Sequence, residues 1–413
     1  MSGQQLPRGV SDLYTDDYHL KESLINNYKR LLNTYGYNPI QTPTFEFYDL
    51  FMNVPGTMDA DQMIKLIDPD GKVLVLRPDA TVPIARMVSQ SQLDVKKFCY
   101  VTNIFRMESS ESDRTSRSFS QVGVEWFDHA HPLHDVEMIS LAIEMLKQSG
   151  IERIQLEIGQ ASFFKSLLKS AQLPPSEEQE IQKKVEAKNG YELKAYLNTL
   201  EIDEDIYQVL LAIPNLFGSP KTVLTEAKRL VLNDEMRQAV EKLDSLVKQL
   251  HRLGYEQYVS LDLGLINHLN YYTGVMFQAY VEGYGKPIIQ GGRYDELTKY
   301  FDLKTSAIGF GLYVDDLMTI LKQQNRADIE ANQSITISTS EKELKEAMDL
   351  AMSLRAKGVV VNMVYAPLNA EISGDLIDFT SKSYRLNCGT NQGSFNSVID
   401  LQKKVGLEDY ATN

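Results

Sequence analysis

Between residues 12 and 37, apolar positions recur at helical spacing: Leu20, Leu24, Ile25, Tyr28, Leu31 and Leu32 fall on one stripe. Gly36 and Pro39 end that predicted helix, and 40–47 reads as an extended segment. The pattern then changes. KVLVLRP (72–78), KFCYVTNIFRME (97–108) and SFSQVGVEWFD (118–128) are rich in β-branched and aromatic residues and bounded by turn residues, which predicts antiparallel strands. A helix follows over 133–148 and a strand, IQLEIG, over 154–159. Further strands are predicted at 259–265, 274–283 and 287–292, and the apolar run AIGFGLYV leads into a last helix ending near Gln323.

Two stretches depart from this alternation. Residues 160–252 carry Glu/Lys/Leu-rich amphipathic helices broken at Pro174-Pro175, Asn189-Gly190 and Gly218-Ser219-Pro220, which predicts a helical insertion. Residues 324–333 are polar and read as a linker. Beyond them SITIST, EKELKEAMDLAMSLRAKG and VVVNMVYA form a β-α-β pattern, a small separate α/β domain over 334–413. The chain is therefore expected to be α+β, with a core over 1–323.

Composition narrows the classes. At 413 residues, 43% hydrophobic and 24% charged, the chain has the make-up of an ordinary globular protein. A net charge of −14 argues against a broad nucleic-acid surface. The segment from 326 on, with nine Lys/Arg against twelve Asp/Glu, shows no basic footprint either. Cys99 and Cys388 lie far apart with no metal spacing, as expected for free thiols in a reducing cytoplasm. The start lacks a basic segment followed by an apolar run, and no stretch of 18 apolar residues exists, so neither a signal peptide nor a membrane span is expected.

Candidate chemistry clusters at strand ends. Arg77, Arg106, Arg114 and Arg117 lie near the mouth of a strand-loop-strand unit, where arginines clamp a carboxylate or phosphate. The alternative is surface arginines paired with Glu108 or Glu111. Gln121 and Glu125 are four apart on one strand and face the same way. Asp79 and Thr81 share a face if RPDAT is extended. Such groups are costly in an apolar core and make sense around an amine-bearing ligand, or else within a satisfied buried network. Tyr271, Tyr272 and Tyr294 supply aromatic walls with hydroxyls, and Gly274, Gly291 and Gly292 permit close backbone approach. His129, His131 and His134 form HAHPLH without a nearby cysteine, and no metal is expected there. No phosphate-binding loop, dinucleotide fingerprint or zinc-hydrolase motif is present, so no cofactor is expected.

At these residues the chain resembles the class II aminoacyl-tRNA synthetases, and histidyl-tRNA synthetase in particular, over about residues 6–323. TPTFE, around Pro43 and Glu46, is similar to the dimer-forming first motif of that class. FRME with SFSQVGVEWF is similar to the second motif, and AIGFGL to the third. LNYYTG and GGRYD resemble two histidine-specific segments. The resemblance implies an antiparallel sheet flanked by helices, a dimer and a histidine pocket. Asp79, Thr81, Gln121 and Glu125 would face the histidine, Arg106 its carboxylate region, and Tyr271, Tyr272 and Tyr294 its imidazole end.

Departures from the synthetase pattern redirect the functional expectation. Asn267 and Asp316 stand where the synthetase carries arginines that assist adenylate formation and hold ATP. The second-motif loop is one residue longer, with Ser109 and Ser110 in place of an Arg-Pro pair. Each lost cation removes a charge-assisted contact of roughly 1.5–3 kcal/mol. The combination resembles the synthetase-like regulatory subunits of ATP phosphoribosyltransferase, the first enzyme of histidine biosynthesis. It implies a non-catalytic protein that pairs with a short catalytic subunit and is implicated in feedback inhibition by histidine. The alternative is an active histidyl-tRNA synthetase.

Overall fold

The computed structural model describes residues 6–54, 56–91, 96–107, 116–266, 272–326, 334–365, 374–386 and 390–405. Among the expectations above, Glu108, Ser109, Ser110, Glu111, Arg114, Asn267, Tyr271, Cys388 and most of the predicted linker lie outside these residues. The chain forms two compact units, Met1–Asp328 and Ile329–Asn413.

In the first unit the strands are β1 (Asn38–Pro39), β2 (Phe45–Phe47), β3 (Lys65–Ile67), β4 (Val73–Leu76), β5 (Lys97–Phe105), β6 (Ser118–Asp128), β7 (Ile154–Gln160), β8 (Phe217–Gly218), β9 (Val259–Asp262), β10 (Val275–Val281), β11 (Tyr284–Arg293) and β12 (Ser306–Tyr313). Nine of them form one sheet in the order β1-β5-β6-β12-β11-β10-β7-β9-β8. From β5 through β7 every neighbour is antiparallel, as the sequence predicts. The expectation of a wholly antiparallel sheet needs one correction: β1 joins β5, and β9 joins β7, in parallel. These short strands arrive from helical crossovers, which suit parallel pairing.

Burial follows from this layering. The helix Pro132–Gln148 buries Val136, Met138, Ile139, Leu141, Ala142, Ile143, Met145 and Leu146, a broad stripe that packs on β7, β10, β11 and β12. The helix Asp234–Arg252 lies against it and against the helix Ala161–Ala171. On the first helix, Thr15–Thr34, the buried residues are Leu20, Leu24, Ile25, Tyr28 and Leu32. Past its Tyr35 cap comes Gly36, whose φ of 78° a side chain would resist.

The expected chain breaks in the 160–252 segment are helix starts. Pro175 opens a helix, Asn189 accepts from the Glu192 amide, and Ser219 accepts from the Thr222 amide ahead of Pro220. The segment is not purely helical, however: β8 pairs with β9 through Phe217 opposite Asp262. A two-residue strand leaves no periodicity to read.

A separate sheet, β2-β4-β3, stands apart from the main one. The second unit has a five-stranded sheet in which Ser334–Thr339 pairs in parallel with both Val360–Tyr365 and Asp375–Asp378. The helix Leu344–Ala356 makes the crossover, burying Ala347, Leu350, Ala351 and Leu354.

Candidate amino-acid cavity

The centre of the site is a carboxylate placed deliberately in the sheet. Glu125 on β6 is 1% exposed, and its cross-strand partner on β12 is Gly309. Gly309 is required there: a Cβ on it would lie 1.8 Å from Glu125 Oε2 and 2.5 Å from the Val124 carbonyl oxygen. Gly311 makes the same kind of room for Gln121, whose Nε2 would lie 2.1 Å from an added Cβ. The alternating glycines of AIGFGL are thus the space into which two polar side chains of β6 fold.

Glu125 is held from both sides. The Thr81 hydroxyl donates to Oε1 at 2.7 Å, and the Tyr294 hydroxyl donates to Oε2. Burial pushes the carboxyl up to about 8, against the downward pull of the Tyr294 and Thr81 hydrogen bonds; nearby Asp79 adds to the rise. Burial also raises Asp79, opposed by the Val82 amide it accepts from at 2.9 Å and by the charge of Arg106.

One expectation about this wall is corrected. Asp79 and Thr81 are not on an extended strand. Thr81 begins the helix Thr81–Ser89, and Asp79 stands just before it, its carboxylate bonded to the first turn. Asp, Thr and Pro83 in sequence are helix-start chemistry, which wins over the extended bias after Pro78. The helix start still aims Thr81 at Glu125.

Arg106 is the cavity's cation. Its Nε donates to the Pro78 carbonyl at 2.8 Å, and its guanidinium lies over the Phe119 ring at 5.7 Å. The other arginines differ. Arg77 is 3% exposed and donates to the carbonyls of Thr42, Pro43 and Asn103 at 2.8, 2.6 and 3.0 Å, so it ties loops together inside the fold. Arg117 is not in the cavity wall.

The cavity has a volume of about 170 Å³. That is below the roughly 300–1,000 Å³ of drug-sized sites and suits a ligand the size of an amino acid. Of the eight residues singled out from sequence, Asp79, Thr81, Arg106, Gln121, Tyr272 and Tyr294 line it. Glu125 lies directly behind Thr81 and Tyr294, and Tyr271 is outside the described residues. Beside Arg106, Phe119 packs against Tyr313 at 5.4 Å between ring centres, and the Tyr313 hydroxyl donates to Gln290 at 2.8 Å.

Sequence reasoning missed part of the lining. Thr57, Met58, Asp59 and Gln62 come from a segment with no regular period, which carries no signal. Tyr100 had one. It sits opposite Gly123 in the β5–β6 register, and its hydroxyl donates to Gln121 at 3.3 Å. A glycine between Gln121 and Glu125 marks where a neighbouring ring crosses the strand.

Two positions of the departures are informative. Asp316 is not in the cavity wall; its Oδ1 accepts from the Tyr284 hydroxyl at 2.8 Å. Asp315 bridges Lys21 Nζ at 2.9 Å and the Ser120 amide at 2.6 Å. The histidines of HAHPLH serve structure: His131 caps the helix Pro132–Gln148, and His134 stacks on Trp126 at 3.9 Å. Among the described residues, no group of three or more His, Cys, Asp or Glu is placed to hold a metal ion.

The raised Glu125 carboxyl makes a pH prediction. The folded protein holds a proton there that the unfolded chain, at the ordinary carboxyl value of 4.5, releases. Stability should therefore fall as pH rises from about 4.5 to 8 and level off above it. Urea unfolding across that window should show the slope, and Glu125→Gln should flatten it. An unchanged slope in the variant would assign the effect to other groups.

Comparison with known proteins places the chain in a family. The sequence model of the histidyl-tRNA synthetase family matches residues 9–317. The chain is 36% identical over 397 residues to an ATP phosphoribosyltransferase regulatory subunit of Oceanobacillus iheyensis, covering 95% of this chain and 96% of that one. It is 37% identical over 319 residues to one of Alkaliphilus metalliredigens, covering 76% and 80%. A solved structure of an ATP phosphoribosyltransferase regulatory subunit/histidyl-tRNA synthetase from Bacillus halodurans superimposes with a TM-score of 0.79 at 29% identity, over 89% of this chain and 94% of that one. The fold is of the class II aminoacyl-tRNA synthetase type. Within that class the chain belongs to the histidyl-tRNA synthetase-like family of ATP phosphoribosyltransferase regulatory subunits.

Proposed function

We propose that this chain is the non-catalytic partner that a short ATP phosphoribosyltransferase catalytic subunit requires in the cytoplasm, and that its cavity takes histidine as a feedback ligand. The observation that carries the reading is the polarity of an amino-acid-sized cavity. Asp59, Asp79 and Glu125 stand on or behind its walls, with Arg106 alongside. A zwitterion matches that arrangement: its ammonium toward the carboxylates, its carboxylate toward Arg106. Tyr272 and Tyr294 border the space left for a ring.

Two positions support binding without activation: Asn267 and Asp316 stand where the resemblance places arginines of a synthetase. Feedback would then follow from differential affinity. Histidine binds one state of the hetero-oligomer more tightly and shifts the population toward it. Calorimetry with histidine on the assembled complex tests the ligand, and absence of binding rejects it. A histidine-dependent ATP–pyrophosphate exchange assay tests the rival; robust exchange by this chain would make it an active synthetase.

Self-association is part of the same reading. Phe45 and Phe47 are about half exposed, and Leu66 lies on the same face of the β2-β4-β3 sheet, since Phe47 and Leu66 both sit opposite Leu74. An exposed apolar sheet face of this kind marks an interface. Light scattering should report a dimer for the native chain and a monomer for Phe45→Asp/Phe47→Asp. Equal masses would place the contact elsewhere.

A further inference from the structure

The segment 272–274, which puts Tyr272 on the cavity wall, is held from two sides. Toward β11, the Thr273 amide donates to the Arg293 carbonyl at 2.7 Å, and the Asp295 amide donates to the Thr273 hydroxyl at 3.0 Å. The Tyr272 ring lies against β11 at Gly292, where an added Cβ would stand 2.8 Å from its Cδ1. These bonds flank Tyr294, so the two tyrosines of the cavity wall share one framework.

The other side belongs to the helix Ala161–Ala171. Its first amide, on Ala161, donates to the Gly274 carbonyl at 2.9 Å, one step past the Gln160–Val275 pair of the β7–β10 ladder. Four residues on, one turn along the same helix face, Lys165 Nζ donates to the Tyr272 carbonyl at 2.7 Å. Residues one turn apart on the helix thus hold carbonyls two residues apart on the facing chain.

The lysine is bent to this task. A lysine on an open helix face keeps its ammonium in water. Lys169, one turn further on, does so: its side chain is 74% exposed and pairs with Glu235 at 2.9 Å. Lys165 also has exposed surface as a whole residue, yet burial around its ammonium holds its pKa below the ordinary lysine value, against the opposing charge of Glu296. Among the described residues, none of 160–252 lines the cavity. The helix Ala161–Ala171 packs on the helix Asp234–Arg252, so the bonds of Ala161 and Lys165 tie this helical segment to the cavity wall.

We propose that Lys165 is a positioning residue of the cavity: its ammonium fixes the Tyr272 backbone and thereby the place of the Tyr272 ring in the wall. Lys165 does not line the cavity and acts through Tyr272. Its consequence for histidine rests on the reading of the cavity given above, whereas the positioning itself does not.

Three variants of the full chain test it. Lys165→Met keeps a side chain of similar length and removes the donor, and Lys165→Arg restores a cationic donor. Lys169→Met removes the same charge from the same helix, away from the cavity. Each is read by hydrogen exchange resolving the Thr273 amide from that of Phe277, by histidine calorimetry and by melting temperature. We expect Lys165→Met to speed exchange at Thr273 and to weaken histidine binding, each by about tenfold, the effect of losing one charge-assisted hydrogen bond. Exchange at Phe277, inside β10, and the melting temperature should stay native. Lys165→Arg should recover most of both losses, and Lys169→Met should show neither. Native exchange at Thr273 in Lys165→Met, equal losses in the methionine and arginine variants, or faster exchange across all of β10 with a lowered melting temperature would overturn the proposal. Native histidine affinity in Lys165→Met would overturn its role in binding. If the native chain itself binds no histidine, the histidine reading fails, and exchange at Thr273 alone decides the positioning.

Discussion

Replacing Glu125 by glutamine should weaken histidine binding by about tenfold, because it removes a charge that stands directly behind the cavity wall, worth about 1.4 kcal/mol, the equivalent of one pKa unit. The carboxyl is 1% exposed, bonded to Thr81 and Tyr294, and pushed up to about 8, so the unliganded protein holds it largely neutral at pH 7. An arriving ammonium favours the ionised form and draws the proton off. Two consequences separate this from a merely structural role. Binding at pH 7 should release a proton, seen as a dependence of the calorimetric enthalpy on buffer ionisation. That release should vanish in Glu125→Gln, whose free form should be at least as stable as the native protein at pH 8. If affinity and proton release are unchanged in the variant, Glu125 does not meet the ligand's charge.

The second large effect belongs to Gly309. Alanine there places a methyl carbon 1.8 Å from Glu125 Oε2 and 2.5 Å from the Val124 carbonyl. The glutamate end cannot swing away without breaking its bonds to Thr81 and Tyr294, and the carbonyl belongs to the β6–β12 ladder. Overpacking of a tight core costs about 1–3 kcal/mol, and the clash with backbone puts this substitution at or beyond the top of that range. Gly285→Ala is the control. It lies in β11 with nothing within 4 Å of an added Cβ. Urea unfolding should show a large loss for Gly309→Ala and a change within about 0.5 kcal/mol for Gly285→Ala. Equal stabilities would mean that β12 can move away from β6.

What the sequence revealed, and what it hid, follows from the reach of each interaction. β6 was legible to the residue because SFSQVGVEWFD is rich in β-branched and aromatic residues and bounded at both ends. That Gln121 and Glu125 share a face needed only the two-residue period. The role of the AIGFGL glycines was hidden, because it depends on the register that sets Gly309 against Glu125, a long-range pairing with no local mark. Asp79 and Thr81 line the cavity, but from a helix start and not from an extended segment. Arg77 looked like a ligand clamp and is a buried tie between loops, a distinction that burial alone makes. Thr57, Met58, Asp59 and Gln62 reach the cavity from an aperiodic stretch, so only the folded chain brings them there.

The most direct test of the account is the ATP phosphoribosyltransferase activity of a short catalytic subunit from the same source, measured with and without this chain and with and without histidine. The account predicts activity that appears or rises strongly when the chain is added, falls when histidine is then supplied, and loses that histidine response with Glu125→Gln. Activity of the catalytic subunit that the chain leaves unchanged would contradict it.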